Sequence, residues 1–210
     1  TTIYNGVSKI QMEKEYEGSA DPNIFCYAGN IGHAQNMEIL IRSFSLARKD
    51  ECMKASKMHI VGDGAVLNDV KSLSIELGLD DCIKFFGALP KEEALKKMHE
   101  SGCLLLPLKD APAFRITVPS KVFDYMSMSR PILTDINGEG ADILGRCEAN
   151  EIIPSEDISK FSEGMIKIRK NWDNRFSLAS LNREIVINYF TREKQVLELE
   201  SILARSADSS

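Results

Sequence analysis

Short apolar runs alternate with amphipathic stretches along this chain, and that alternation restricts the fold more than any other feature. Runs at residues 23–28, 57–61, 82–86, 103–108 and 132–135 have the length and composition of strands, with a further short one at 151–153. Between them, apolar side chains recur at helical spacing over 36–49, 65–77 and 91–101, with Gly78 placed as a C-terminal cap. Helices are expected again at 158–171, 175–189 and 192–204. Strands separated by helices read as βαβ units, whose right-handed crossovers put helices on both faces of a parallel sheet. The expected class is therefore α/β, a doubly wound parallel sheet. Residues 1–7 form a β-rich run holding the turn signal Asn5-Gly6, and the polar stretch after it reads as a surface linker.

The stretch 117–131, T-V-P-S-K-V-F-D-Y-M-S-M-S-R-P, lies between two of the apolar runs. Thr117 is placed to cap a helix, Pro119 fits its first turn, and Val122, Phe123 and Met126 supply an apolar stripe. Unpaired backbone N–H groups, the Ser120 hydroxyl and the Lys121 ammonium would then share one helix start, which suits an anion and above all a phosphate. Asp124 falls on the same face one turn on.

At 210 residues and 43% hydrophobic the chain can bury one sizeable core. A net charge of −5 argues against nucleic acid or an anionic membrane as the main partner. The five cysteines are dispersed, with no C-x-x-C, as in a cytoplasmic protein with reduced thiols. No apolar stretch reaches about 18 residues and no secretory signal is recognisable. His59, His99 and Trp172 read as structural, and the charges over 91–97 as a solvated helix face.

In a doubly wound sheet, ligands bind beyond the carboxyl ends of the strands. The loops 29–33, 62–64, 108–119 and 137–140, and the turn at Gly87, all fall on that edge. Three of them are glycine-rich, so backbone can approach a ligand closely. A nucleotide-type ligand follows from the convergence, although each loop alone is ordinary turn chemistry.

The order Y-A-G-N-I-G-H-A-Q-N-M-E-I-L-I-R-S-F, H-I-V-G-D-G-A, I-K-F-F-G-A-L-P-K-E-E-A-L and T-V-P-S-K-V-F-D-Y-M-S-M-S-R-P-I-L resembles the nucleotide-sugar-binding half of family 4 glycosyltransferases. Its Pro-Ser-Lys form is similar to the branch that builds bacterial surface polysaccharides and O-antigen-like glycans. The resemblance implies a Rossmann-like domain, one half of a GT-B pair facing across a cleft. It also implies retaining transfer from a nucleotide-diphosphate sugar with neither metal nor other cofactor. The acceptor, a glycan or a lipid-linked one, would be held by a missing N-terminal domain, with peripheral membrane association of the full enzyme. On this basis 1–22 is an interdomain strand and linker, 23–190 the donor domain, and 191–210 a helix and tail returning to the missing half. This half alone is expected to bind donor and transfer nothing.

Carried over residue by residue, the resemblance assigns Gly29, Gly32, His33, Ser120 and Lys121 to the diphosphate. Gly62, Asp63, Phe86, Gly87 and Asp124 fall at the base and ribose, and Lys109, Arg115 and Thr117 on the loop nearest the sugar. Catalytic residues stay unassigned. Three positions depart from the family: Ile116 stands where an E-x7-E motif has its first Glu, and Asn30 and Gln35 replace the usual first-loop Arg and Lys. His33 and Arg115 are the candidate substitutes. A non-catalytic nucleotide-sugar module and a GT-B nucleotide-sugar 2-epimerase are the alternative readings, separable by sugar release in the presence of an acceptor.

Overall fold

The computed structural model describes residues 2–8, 11–12, 19–115, 117–153 and 156–207. Six strands form one sheet: β1 (Asp21–Ala28), β2 (Lys57–Val61), β3 (Ile83–Gly87), β4 (Ser101–Leu106), β5 (Ile132–Thr134) and β6 (Glu151–Ile152). All neighbours pair parallel, in the order β3-β2-β1-β4-β5-β6. That is the Rossmann-type doubly wound order, with the direction of winding reversing between β1 and β4.

Side-chain alternation decides what each strand buries. Phe25 and Tyr27 of β1, with Cys103 and Leu105 of β4, enter a core shared with α1 (Met37–Ala47), α2 (Leu67–Glu76) and α7 (Ile158–Lys170). Cys26 and Ala28, with Leu104 and Leu106, face the opposite core against α3 (Lys91–His99), α5 (Ser120–Met126), α6 (Glu139–Leu144) and α9 (Ser180–Tyr189). Every residue of β4 is buried, the mark of a central parallel strand. Gly78 takes φ +65° after α2, as a helix-terminating glycine does.

The elements differ from the sequence expectation at five places, one being β4, which runs over Ser101–Leu106 rather than 103–108. β1 begins at Asp21, whose N–H donates to the Glu100 carbonyl, two residues before the expected boundary. The loop after β4 contains one short helix, α4 (Pro112–Arg115). Thr117 does not cap α5: Pro119 occupies the capping position without any side-chain cap. A residue preceding proline is disfavoured in helical geometry, so Val118 cannot carry the helix back to a Thr117 cap. The single helix expected at 175–189 is two, α8 (Trp172–Leu178) and α9. Separate buried polar groups anchor them. Arg175 in α8 donates to the Ala149 and Asn150 carbonyls, while Asn182 in α9 donates to the Arg130 carbonyl. Asn150 and Asn182 also exchange reciprocal amide hydrogen bonds of 2.8 and 2.9 Å.

The N-terminal segment packs beside the last turn. Val7 bridges Thr191, and Tyr4 lies edge-on to Phe123 and Phe190. The final helix, α10 (Arg192–Ala207), leaves Val196, Leu197, Leu199 and Leu203 exposed. Among the described residues no helix is long and apolar enough to cross a membrane.

Candidate functional site

The site grows from the carboxyl end of β1, where the winding reversal opens a crevice. Gly29 follows the strand with φ +151°, and its N–H donates to the Val61 carbonyl. Gly62 follows β2 with φ +133°, and its N–H donates to the Gly87 carbonyl. A Cβ on Gly62 would lie 1.8 Å from the Gly29 carbonyl oxygen, so the turns after β1 and β2 meet backbone to backbone. Glycine is required there by space as well as by φ.

Over this floor lies Lys121. A Cβ on Gly29 would sit 2.2 Å from both Cε and Nζ of Lys121, so the missing side chain is the room the lysine occupies. Its ammonium donates to the Tyr27 hydroxyl at 2.6 Å and stands 4.5 Å from the centre of that ring. Burial lowers the Lys121 pKa to about 8, with the Asp124 charge pulling the other way. A partly desolvated cation at a sheet-edge crevice attracts an anion more strongly than one in bulk water. Ser120 is exposed at the start of α5. That helix has only seven residues, so the lysine charge outweighs its dipole.

The Asp124 carboxylate accepts a hydrogen bond from Gln11 Nε2 at 3.2 Å, a residue the sequence reading left in the linker. Tyr125, on the same turn, accepts from the Ala28 N–H and donates to the Ala28 carbonyl at 2.9 and 3.1 Å. Neither Tyr27 nor Tyr125 was singled out from the sequence, because in an apolar stripe a tyrosine reads as packing. Asp63 shapes its own turn, its side chain accepting from the Gly64 N–H and its carbonyl from Ile31. The Phe86 ring packs edge-on to His59, with the Lys84 and Lys97 ammoniums 5.0 and 5.5 Å from its centre. Phe86 therefore offers the crevice backbone rather than a stacking face.

The first loop closes on itself. Gly32 N–H and the Asn30 amide both donate to the Gln35 side-chain oxygen, so the two positions lacking the usual bases bond to each other. His33 is exposed and lines a cavity of about 320 Å³ with Gly32, Asn36, Arg42, Val66 and Lys109. The lining of that cavity does not include Lys121, Ser120 or Asp124, so His33 and Lys121 do not share it. Lys109 N–H donates to the Ala34 carbonyl, which ties the loop after β4 to the first loop.

Arg115 is engaged elsewhere. Its guanidinium pairs with both Asp110 oxygens at 2.8 and 2.6 Å, which holds Asp110 below the usual carboxylate range. Thr117 is exposed beyond α4, and Ile116 lies outside the described residues. Beneath this loop, the buried Asp135 accepts from the Leu108 N–H through Oδ1, while Oδ2 has no hydrogen-bond partner among the described residues. Burial pushes its pKa up to about 7. Among the described residues no group of three His, Cys, Asp or Glu side chains is placed to hold a metal ion.

A doubly wound parallel sheet with glycine turns meeting at its winding reversal is the architecture of one half of a GT-B pair. The family of glycosyl transferases group 1 matches residues 22–171, and the chain belongs to it. Comparison with curated proteins gives no match. Solved structures share the fold at low identity. A point mutant of S. aureus TarM, in complex with fondaparinux, alpha-GlcNAc-glycerol and UDP, superposes with a TM-score of 0.78 at 16% identity, covering 96% of this chain and 38% of TarM. Anabaena Alr3699/HepE with UDP and glucose gives 0.79 at 13%, covering 98% and 57%. WaaG, a glycosyltransferase involved in lipopolysaccharide biosynthesis, gives 0.71 at 14%, covering 89% and 52%. The chain thus spans between about two-fifths and three-fifths of the length of these proteins.

Proposed function

We propose that this chain is the donor-binding half of a retaining glycosyltransferase that moves a sugar from a nucleotide-diphosphate sugar to a glycan or lipid-linked acceptor. One observation carries the reading: the Lys121 ammonium stands half-buried over Gly29, at the winding reversal of the sheet. The diphosphate gains charge as the glycosidic bond breaks, and a preorganised ammonium lowers that barrier. Lys121 and Ser120 meet this charge without a metal. Gly62 and Gly87 border the base, and Lys109 and Thr117 the sugar. Asp124 reaches the ribose once Gln11 releases it. UDP is the nucleotide to try first, since the TarM and HepE structures hold it. The acceptor belongs to a second half, on which the exposed apolar face of α10 packs. Nucleotide sugars of the cytoplasm supply the donor, and a lipid-linked acceptor brings the enzyme to the inner membrane face.

Calorimetric titration of UDP, GDP and ADP into the chain and into Lys121→Ala tests the reading. One nucleotide should bind and lose about tenfold in the variant, roughly 1.4 kcal/mol. Equal affinity in both proteins removes Lys121 from the site. A binding module without turnover is the second reading, favoured by the engagement of Arg115 with Asp110. Donor binding by the two-domain protein with no sugar release in the presence of acceptor decides for it.

A further inference from the structure

The group that holds Lys121 in place is a residue no motif points to. Tyr27 is fully buried in β1, yet its hydroxyl lies at the crevice edge of the strand, accepting from Lys121 and donating to the Asn30 carbonyl. One phenol oxygen therefore joins the helix that carries the cation to the loop that follows β1. The ammonium stands beside the hydroxyl rim, 4.5 Å from the ring centre, and Gly29 leaves the space through which the lysine stem passes. A lysine has four flexible torsions, and ordering it costs conformational entropy. A partner that fixes it before a ligand arrives transfers that cost from binding to folding.

We propose that Tyr27 is a positioning residue for the donor diphosphate, its hydroxyl locking the Lys121 ammonium and the first loop into one preorganised unit. The inference rests on the assignment of Lys121 to the diphosphate. Tyr27 acts through Lys121 and does not itself touch the donor. Its contribution is thus confined to ligands that carry phosphate.

Tyr27→Phe keeps the ring and its packing and removes only the hydroxyl. UDP and uridine would be titrated calorimetrically into the chain, Tyr27→Phe and Lys121→Ala. Tyr27→Phe is expected to weaken UDP about fivefold to tenfold and to leave uridine unchanged, with a smaller loss than Lys121→Ala. The pH profile gives a readout that a packing role does not move. The titratable groups facing Lys121 are Asp124 on its own helix and Tyr27 from β1, and the accepting hydroxyl favours the charged amine. Its removal should move the alkaline midpoint of UDP binding to lower pH. Lys121→Ala weakening UDP while Tyr27→Phe leaves it unchanged overturns the role of Tyr27 alone. An equal loss of UDP and uridine in Tyr27→Phe reduces that residue to packing and overturns it too. Unchanged UDP affinity in Lys121→Ala overturns the underlying assignment, and this inference with it.

Discussion

Lys121 and Arg115 are two of the cations that the sequence brings to the carboxyl edge of the sheet, and the fold treats them in opposite ways. Lys121 is half-buried, rests on a glycine, and donates to a neutral hydroxyl. Arg115 is exposed and spends its guanidinium on a bidentate pair with Asp110. A cation facing a neutral acceptor in a partly desolvated site keeps most of its attraction for an incoming anion. One already paired with a carboxylate in solvent has little left to offer. What makes a basic residue a binding group is thus its partner, and proximity in sequence to a phosphate motif does not decide it.

The largest expected effect probes the foundation of the Arg115 loop. Asp135 has its pKa raised from 3.8 to about 7, so the folded state holds a proton the unfolded chain releases near pH 4. Its contribution to stability is therefore greatest at low pH and falls as pH rises through that window, by an amount on the order of 4 kcal/mol. Denaturant unfolding at pH 5 and pH 7.5 should show Asp135→Asn losing less stability between the two than the parent; identical slopes would refute the assignment. On the Lys121 side, Gly62→Ala forces a Cβ against the Gly29 carbonyl and should cost about 3 kcal/mol. Thermal unfolding would register this as a drop of roughly 6–12 °C.

Smaller effects separate the two cations directly. UDP affinity should fall between pH 8 and pH 10 by at most the roughly tenfold expected of Lys121→Ala, because Lys121 loses its charge through a pKa of about 8. A profile flat to pH 10 would mean that another group carries the attraction. Arg115→Ala should change UDP binding by less than about twofold, since the guanidinium is already paired and exposed. A larger loss would show that Arg115 leaves Asp110 for the ligand and would erase the contrast.

Much of the sheet was legible from the chain because its central strands contain apolar runs: Cys103–Leu106, within the run expected at 103–108, has little choice but burial on both faces. The place of Ser120 and Lys121 at a helix start was legible because a proline ahead of an apolar stripe marks where a helix begins. Several features were not. Tyr27 and Tyr125 fit the apolar pattern, and a pattern does not reveal where a hydroxyl points. The capping position went to Pro119 rather than Thr117 because of the steric demand of proline on the residue before it. The Asp110–Arg115 pair spans a loop and a short helix, without a fixed period from which to read it. The break between α8 and α9 follows from anchors at 130, 149 and 150, far from it in sequence.

The reciprocal amides of Asn150 and Asn182 act as an alignment key for the C-terminal helices. Asn150 also accepts from the Ile132 N–H and donates to the Leu144 carbonyl, so one side chain joins β5, α6 and α9. Leucines in their place would attract equally well across a range of offsets, letting α9 slide along the edge of the sheet. Paired amides satisfy all their donors and acceptors at a single offset, and a displacement of one residue strands several of them in the interior. Phe190 and Thr191, which follow α9 and meet the N-terminal segment, thereby inherit an address fixed to within a hydrogen-bond length.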